Sequence, residues 1–268
     1  MGIKKVGIEL EGGWKGEQYP FPDAPFEHDV SVMPPKGFVE KSGIHHWGEC
    51  KSAPLDTEEA LKWMAAHYPT HIPTTLNPGT SQEKSVGLHT HISFEEPWEY
   101  RALVSIHFRD RVLEEFEKWG KKVGLPKEHI FWHRHAGGNR FCTKDFRPGP
   151  QMAMTGKGHN NLTRRTQINF AHFMNTIEFR MLPMFPDPRL RHGKDSEKVT
   201  PPDIELAVDA IRFYYEVVEG WLAERRAEET AHRVVYRAIG VAKPREGVVT
   251  RDYHIQLERF TYAEKEGV

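Results

Sequence analysis

Three short segments carry ionisable side chains at alternate positions: Glu9 and Glu11, His89 and His91, and Glu178 and Arg180. On a β-strand, residues i and i+2 point to one face and lie roughly 6 to 7 Å apart. If the three strands are neighbours, these pairs merge into one polar surface of carboxylates and imidazoles with an arginine. That donor set suits hard divalent cations handling a polyphosphate, and Mg2+ or Mn2+ is the ion it implies. An antiparallel sheet also turns an ordinary polar face to water, so alternation alone does not distinguish a site from a solvated face. Composition separates the two, because solvated strand faces favour Thr, Lys and Ser, whereas these carry Glu, His, Arg, Asn and Gln.

The elements that must position these residues can be read from hydrophobic periodicity. Val6, Ile8 and Leu10 alternate with Gly7, Glu9 and Glu11, which predicts a half-buried strand over 6–11. Val86, Leu88, Ile92 and Phe94 do the same around His89 and His91, predicting a strand over 86–94. Arg165 to His172 and Asn175 to Met181 read as two more strands joined as an antiparallel hairpin. Shorter strand-like pieces lie around 28–32, 37–41 and 46–51. Asp56 followed by Glu59 is the signature of a capping box that opens a helix ending near Tyr68. Helical spacing from Pro97 to Val123 predicts one helix stopped by Gly124 and Pro126. Residues 125–163 show no periodicity and read as a long functional loop. Beyond a polar, Pro-rich linker, the spacing of Leu206, Ala210, Ile211, Tyr214, Val218, Trp221 and Leu222 predicts an amphipathic helix that covers the apolar side of the sheet. The fold class is α+β.

Composition narrows the field. At 268 residues the chain is long enough for one large domain or two small ones. With 37 basic and 38 acidic residues the formal net charge is -1, so general nucleic-acid binding through counterion release is not expected. Two cysteines cannot build a disulfide framework and fit a reducing compartment. The sequence contains no long apolar run and no leader pattern, which makes the cytoplasm the expected location and a membrane an unexpected partner.

Six motifs follow one another: Gly7-Ile8-Glu9-Leu10-Glu11, Asp29-Val30-Ser31, Glu49-Cys50-Lys51-Ser52-Ala53-Pro54, Gly87-Leu88-His89-Thr90-His91, Asn139-Arg140-Phe141-Cys142 and Thr176-Ile177-Glu178-Phe179-Arg180. In that order they resemble the amidoligase family, relatives of glutamine synthetase and glutamate-cysteine ligase that are often phage-encoded. The resemblance implies one catalytic domain over 1–268, with a sheet core at about 3–182 and a helical part at about 202–240. Its fold would be a glutamine-synthetase-like, mainly antiparallel sheet, with helices on one face and a concave polar active-site face. It further implies ATP with Mg2+ or Mn2+, an acyl phosphate, an amide or peptide-like product, and small-molecule or peptide carboxylate and amine substrates. A homo-oligomer is allowed, and a phage-encoded enzyme would work in the host cytoplasm. Carried over residue by residue, Glu9, Glu11, Glu49, His89 and Glu178 would be metal ligands. His91 and Arg180 would meet ATP phosphates, and Arg180, Asp29 and Glu49 would serve the chemistry, Asp29 by holding the amine. An Arg preceding an Asn on the strand before the last motif finds Arg164, Arg165 and Asn169 in competition, with Arg165 and Asn169 as the nucleotide contacts.

Two other readings stay open. His89-x-His91 is a pair that a zinc-dependent hydrolase could use, although this leaves Glu9, Glu11 and Arg180 without roles. A catalytically silent sheet serving as a binding module is the other. The histidines at 129, 133 and 135 with Cys142 match no common closed zinc module and read as surface histidines.

Overall fold

The alternation that begins at Val6 extends in both directions into a long strand, β1 (Ile3–Trp14). The computed structural model describes residues 2–14, 21, 24, 26–27, 46–70, 75–76, 84–138, 142–145, 166–170, 176–185 and 203–238. The strand-like pieces at 28–32 and 37–41, and Asp29, Arg164 and Arg165, lie outside them. Further strands are β2 (Phe26–Glu27), β3 (His46–Lys51), β4 (Thr75–Leu76), β5 (Lys84–Ser85), β6 (Gly87–Phe94), β7 (Ile168–Asn169) and β8 (Thr176–Pro183). Helices are α1 (Thr57–His67), α2 (Pro97–Leu103), α3 (Ile106–Lys122), α4 (Ile130–His135) and α5 (Ile204–Ala238). Six strands form one antiparallel sheet in the order β2-β3-β1-β6-β8-β7, and β4 with β5 forms a separate pair. The architecture is α+β. Among the described residues, no helix is long and apolar enough to cross a membrane.

One face of the sheet makes the core. Val6, Ile8 and Leu10 of β1, Leu88 and Ile92 of β6, and Ile177, Phe179, Met181 and Leu182 of β8 are all fully buried. The first stretch of α5 covers them through Ala207, Ala210, Ile211, Tyr214 and Val218, with the Tyr214 and Phe179 rings 4.5 Å apart. Phe108, Val112 and Phe116 of α3 complete the layer, with the Phe116 and Tyr214 rings 4.4 Å apart. Burying side chains of this size contributes about 1.5 to 3 kcal/mol each, which makes this layer the main source of the sheet's stability. Trp119 and Trp221 bury their rings while each indole N–H donates a hydrogen bond, to Asp209 Oδ2 at 2.8 Å and to the Ala102 carbonyl at 2.9 Å.

The helix predicted to start after Asp56 is α1, opened by the Asp56–Glu59 capping box and followed by a short 3-10 turn at Tyr68–Thr70. The single helix expected from Pro97 to Val123 is instead two. The chain breaks at Val104–Ser105, where the Ser105 hydroxyl accepts a hydrogen bond from the Phe108 N–H at 3.0 Å and starts α3 afresh. Gly124, at φ +76°, ends it. The stretch expected to be irregular from residue 125 contains α4, whose first turn is capped by His129 Nδ1 accepting from the Phe131 N–H at 3.1 Å.

The register of β6 and β8 contains one irregularity that matters for the site. Thr90 pairs with Phe179 and Leu88 with Leu182, so Arg180 and Met181 together oppose His89 alone. This is a β-bulge, which keeps the buried Leu182 level with the buried Leu88.

The chain divides into two compact units, Met1–Ala223 and Glu224–Val268. In the second, Arg225 and Glu228 form an exposed ion pair at 2.7 Å.

Candidate functional site

The opposite face of the sheet gathers the alternating polar residues. Glu9 pairs across β1 and β6 with His89, and Glu11 pairs across β1 and β3 with Glu49. His91 pairs across β6 and β8 with Glu178, which in turn pairs with Asn169 of β7. Four strands therefore contribute before a loop is counted, and Asn169 makes a fifth.

Side-chain geometry tightens this cluster. His89 Nδ1 lies 3.1 Å from Glu9 Oε2 and 3.8 Å from Glu178 Oε1, while its Nε2 lies 3.6 Å from Glu11 Oε1. His91 Nε2 is 3.2 Å from the other Glu9 oxygen. Arg180 Nη1 pairs with Glu178 Oε1, and Asn169 Nδ2 donates to Glu178 Oε2 at 2.8 Å. Glu11 Oε2 accepts the Gly87 N–H at 2.5 Å, and Glu49 pairs with Lys51 at 2.7 Å. Among the described residues, one group of three or more potential metal ligands brings its donor atoms within 4.8 Å of one another: Glu9, His91 and Glu178.

Burial and charge set the protonation states. Burial works against the charged form of Glu9, but hydrogen bonds with His89 and His91 more than offset it and hold the carboxyl well below the usual range. For Glu178 burial again opposes ionisation, and the charge of Arg180, aided by His91 and His89, brings its pKa down to about 2. Burial would lower the pKa of His91, yet the Glu9 contact and the charge of Glu178 raise it. Glu49 is shifted upward by burial and by the negative charge of Glu9, against the pull of Lys51. Among the described residues, Glu178 is ion-paired to Arg180 and Glu49 to Lys51, which also pairs with Glu27, while Glu9 and Glu11 lie against His89 and His91.

The structure thus brings together Glu9, Glu11, Glu49, His89, His91, Asn169, Glu178 and Arg180. His89, placed by sequence among the ligands, lies between Glu9 and Glu11, and His91 is the histidine in the tight three-residue group. The histidines expected at the surface have other roles: His129 is instead buried, where it caps α4, and His135 Nε2 lies 2.8 Å from the Leu113 carbonyl. Cys50 and Cys142 are buried thiols, and burial raises the pKa of Cys142. Sequence reading gave no role to Gly87, Lys51, Arg134 or Gln167. A β-carbon at Gly87 would sit 2.3 Å from His89 Nε2, so any side chain there would displace that ring, and a glycine inside a strand is the signal for such a close approach. No protein-family model, curated protein or solved structure matches this chain, so any reading of its function rests on these residues.

Proposed function

We propose that the chain is an ATP-dependent carboxylate-amine ligase of the amidoligase kind, built on a glutamine-synthetase-like sheet. The observation that carries this reading is the convergence of donor atoms of Glu9, His91 and Glu178 within 4.8 Å, beside Arg180, with Glu11 and Glu49 on the same face. Ligands of one divalent cation at roughly 2.0 to 2.6 Å stand no more than about 5 Å apart, so the spacing fits Mg2+ or Mn2+. Glu9, His91 and Glu178 would hold the ion, with Glu11 and Glu49 close by for a second. Asn169 and Arg180 already occupy Glu178 and fix its orientation, as outer-shell partners do. A cation there supplies charge neutralisation for the ATP phosphates.

The rest of the chemistry falls to the chain's own residues. The substrate carboxylate oxygen attacks the γ-phosphorus, the bond to the ADP oxygen breaks, and an acyl phosphate results. Arg180, always charged and set at the rim of the cluster, neutralises the transferring phosphoryl oxygens. The amine nitrogen then attacks the acyl carbon and inorganic phosphate leaves. Glu49, whose proton affinity is raised, takes the proton that the incoming ammonium must lose first.

The test is ADP release over a panel of amino acids, amines and peptides, with Mg2+ or Mn2+ and with chelator. Release that needs the metal and two substrates supports the reading, and ATP affinity that is unchanged in chelator refutes it. Arg180→Lys should leave nucleotide binding nearly intact and lower turnover by about a hundredfold. Tight Zn2+ binding with hydrolysis and no nucleotide requirement would point instead to the hydrolase that His89 and His91 suggested.

A further inference from the structure

A buried arginine that the chemistry above does not use lies beside the site. Arg134, on α4, is 2% exposed. Its Nη2 donates to the Arg180 carbonyl at 2.5 Å and its Nε to the Met181 carbonyl at 3.3 Å. These are the two residues of the bulge, where the regular ladder fails and carbonyls need other donors.

Gln167, 1% exposed, completes the arrangement. Its Nε2 donates to the Arg134 and His135 carbonyls in the last turn of α4, each at 2.8 Å, and the Arg134 carbonyl also accepts the Gly137 N–H at 2.9 Å. The Gln167 backbone carbonyl accepts the Arg180 N–H at 2.9 Å. Arg134 thus holds Arg180, Arg180 holds Gln167, and Gln167 holds Arg134. A β-carbon at Gly87 would meet both His89 Nε2 at 2.3 Å and Arg134 Nη2 at 3.0 Å, so the guanidinium packs directly against the acidic face.

We infer that Arg134 and Gln167 are positioning residues for Arg180: their closed circuit of buried hydrogen bonds fixes the bulge and so sets the direction in which the Arg180 guanidinium leaves β8. This rests on the ligase reading only for its effect on rate. Gln167 Oε1 is buried and makes no hydrogen bond among the described residues, but the Gln167 Nε2, the Arg134 guanidinium and the Arg180 N–H all donate within the circuit, and buried donors committed in this way hold the bulge to one geometry, whereas an ordinary bulge leaves the strand free to relax. Arg180 is the one cation on β8 beside Glu178, and a displacement of about 1 Å in such a group costs up to about a hundredfold in rate.

The experiment uses the full chain with Arg134→Lys and Gln167→Met. The Nε–Hε NMR signal of Arg180, assigned by its loss in Arg180→Lys, reports the guanidinium directly. We expect that signal to shift or broaden in both variants, turnover to fall by about tenfold to a hundredfold, and the KM for ATP to stay within about twofold. If Arg134→Lys does not fold, Gln167→Met, which keeps the side-chain volume, decides alone. An unmoved Arg180 signal in a folded variant overturns the inference, even if melting temperature falls. A moved signal in a protein whose wild type releases no ADP upholds the positioning and removes the ligase reading.

Discussion

Replacing Glu178 by Gln removes a charge from the middle of the acidic face while keeping its shape. Burial raises the cost of that charge, yet Arg180 and the two histidines hold the pKa at about 2 against an ordinary 4.5. Such a lowering corresponds to about 3 kcal/mol of folded-state stabilisation at neutral pH. The sign follows from the direction: with the folded value below the unfolded one, the contribution is complete above about pH 4.5 and is lost as the pH falls toward 2. Glu178→Gln should therefore cost about 3 kcal/mol at pH 7, partly because Arg180 is left half-buried without its carboxylate. For a unit of this size that is a drop of about 6 to 12 °C in melting temperature. Urea unfolding of wild type and variant in chelator, at pH values from 7 down to 3, measures it. The gap between the two should narrow as the medium becomes more acidic. A gap that stays constant across that range would refute the reasoning, as would a gap under about 1 kcal/mol at pH 7, which is what an exposed ion pair gives. Adding Arg180→Met to Glu178→Gln should recover part of the loss, since the half-buried Arg180 charge is then no longer left without its carboxylate.

Two glycines on the polar face should behave differently. Gly87→Ala places a β-carbon 2.3 Å from His89 Nε2 and should cost about 1 to 3 kcal/mol in unfolding free energy, whereas Gly7→Ala meets only the His91 Cβ at 3.6 Å and should stay within about 0.5 kcal/mol; equal effects would contradict the packing. Glu9→Gln should weaken Mn2+ binding by about tenfold or more in calorimetry, because it removes a donor charge shared by His89 and His91; unchanged affinity would place the ion elsewhere. Ser105→Ala should lower stability by about 1 kcal/mol by removing the cap on Phe108, read as thermal unfolding, and no change would mean that the helix break does not need that hydroxyl.

Much of the site could be read because a strand's side chains alternate with a period of two. Glu9 with Glu11 and His89 with His91 share a face for that reason alone. The adjacency of β1, β6 and β8 is not contained in periodicity, since it depends on tertiary pairing across about 80 residues each time. The bulge at Arg180 and Met181 left no mark, because Ile177, Phe179 and Met181 continue the alternation without a break. The division of α2 from α3 was missed because the apolar spacing runs straight through Ser105, whose type nevertheless favours a cap. α4 is under two turns long, too short for a period to show, so Arg134 read as one more loop residue beside histidines. Its partners are backbone carbonyls, for which side-chain types give no signal.

Each of the three strands that carry most of the acidic face, β1, β6 and β8, has a hydrogen-bonded neighbour on both sides. Their amides can exchange with solvent only when the sheet itself comes apart, so in hydrogen exchange Glu9, His91 and Glu178 should belong to the slowest class of the chain. An opening that disperses these carboxylates would then have to take the three central strands apart, so loss of the cluster is expected to accompany loss of the sheet, and exchange at these positions should follow global unfolding.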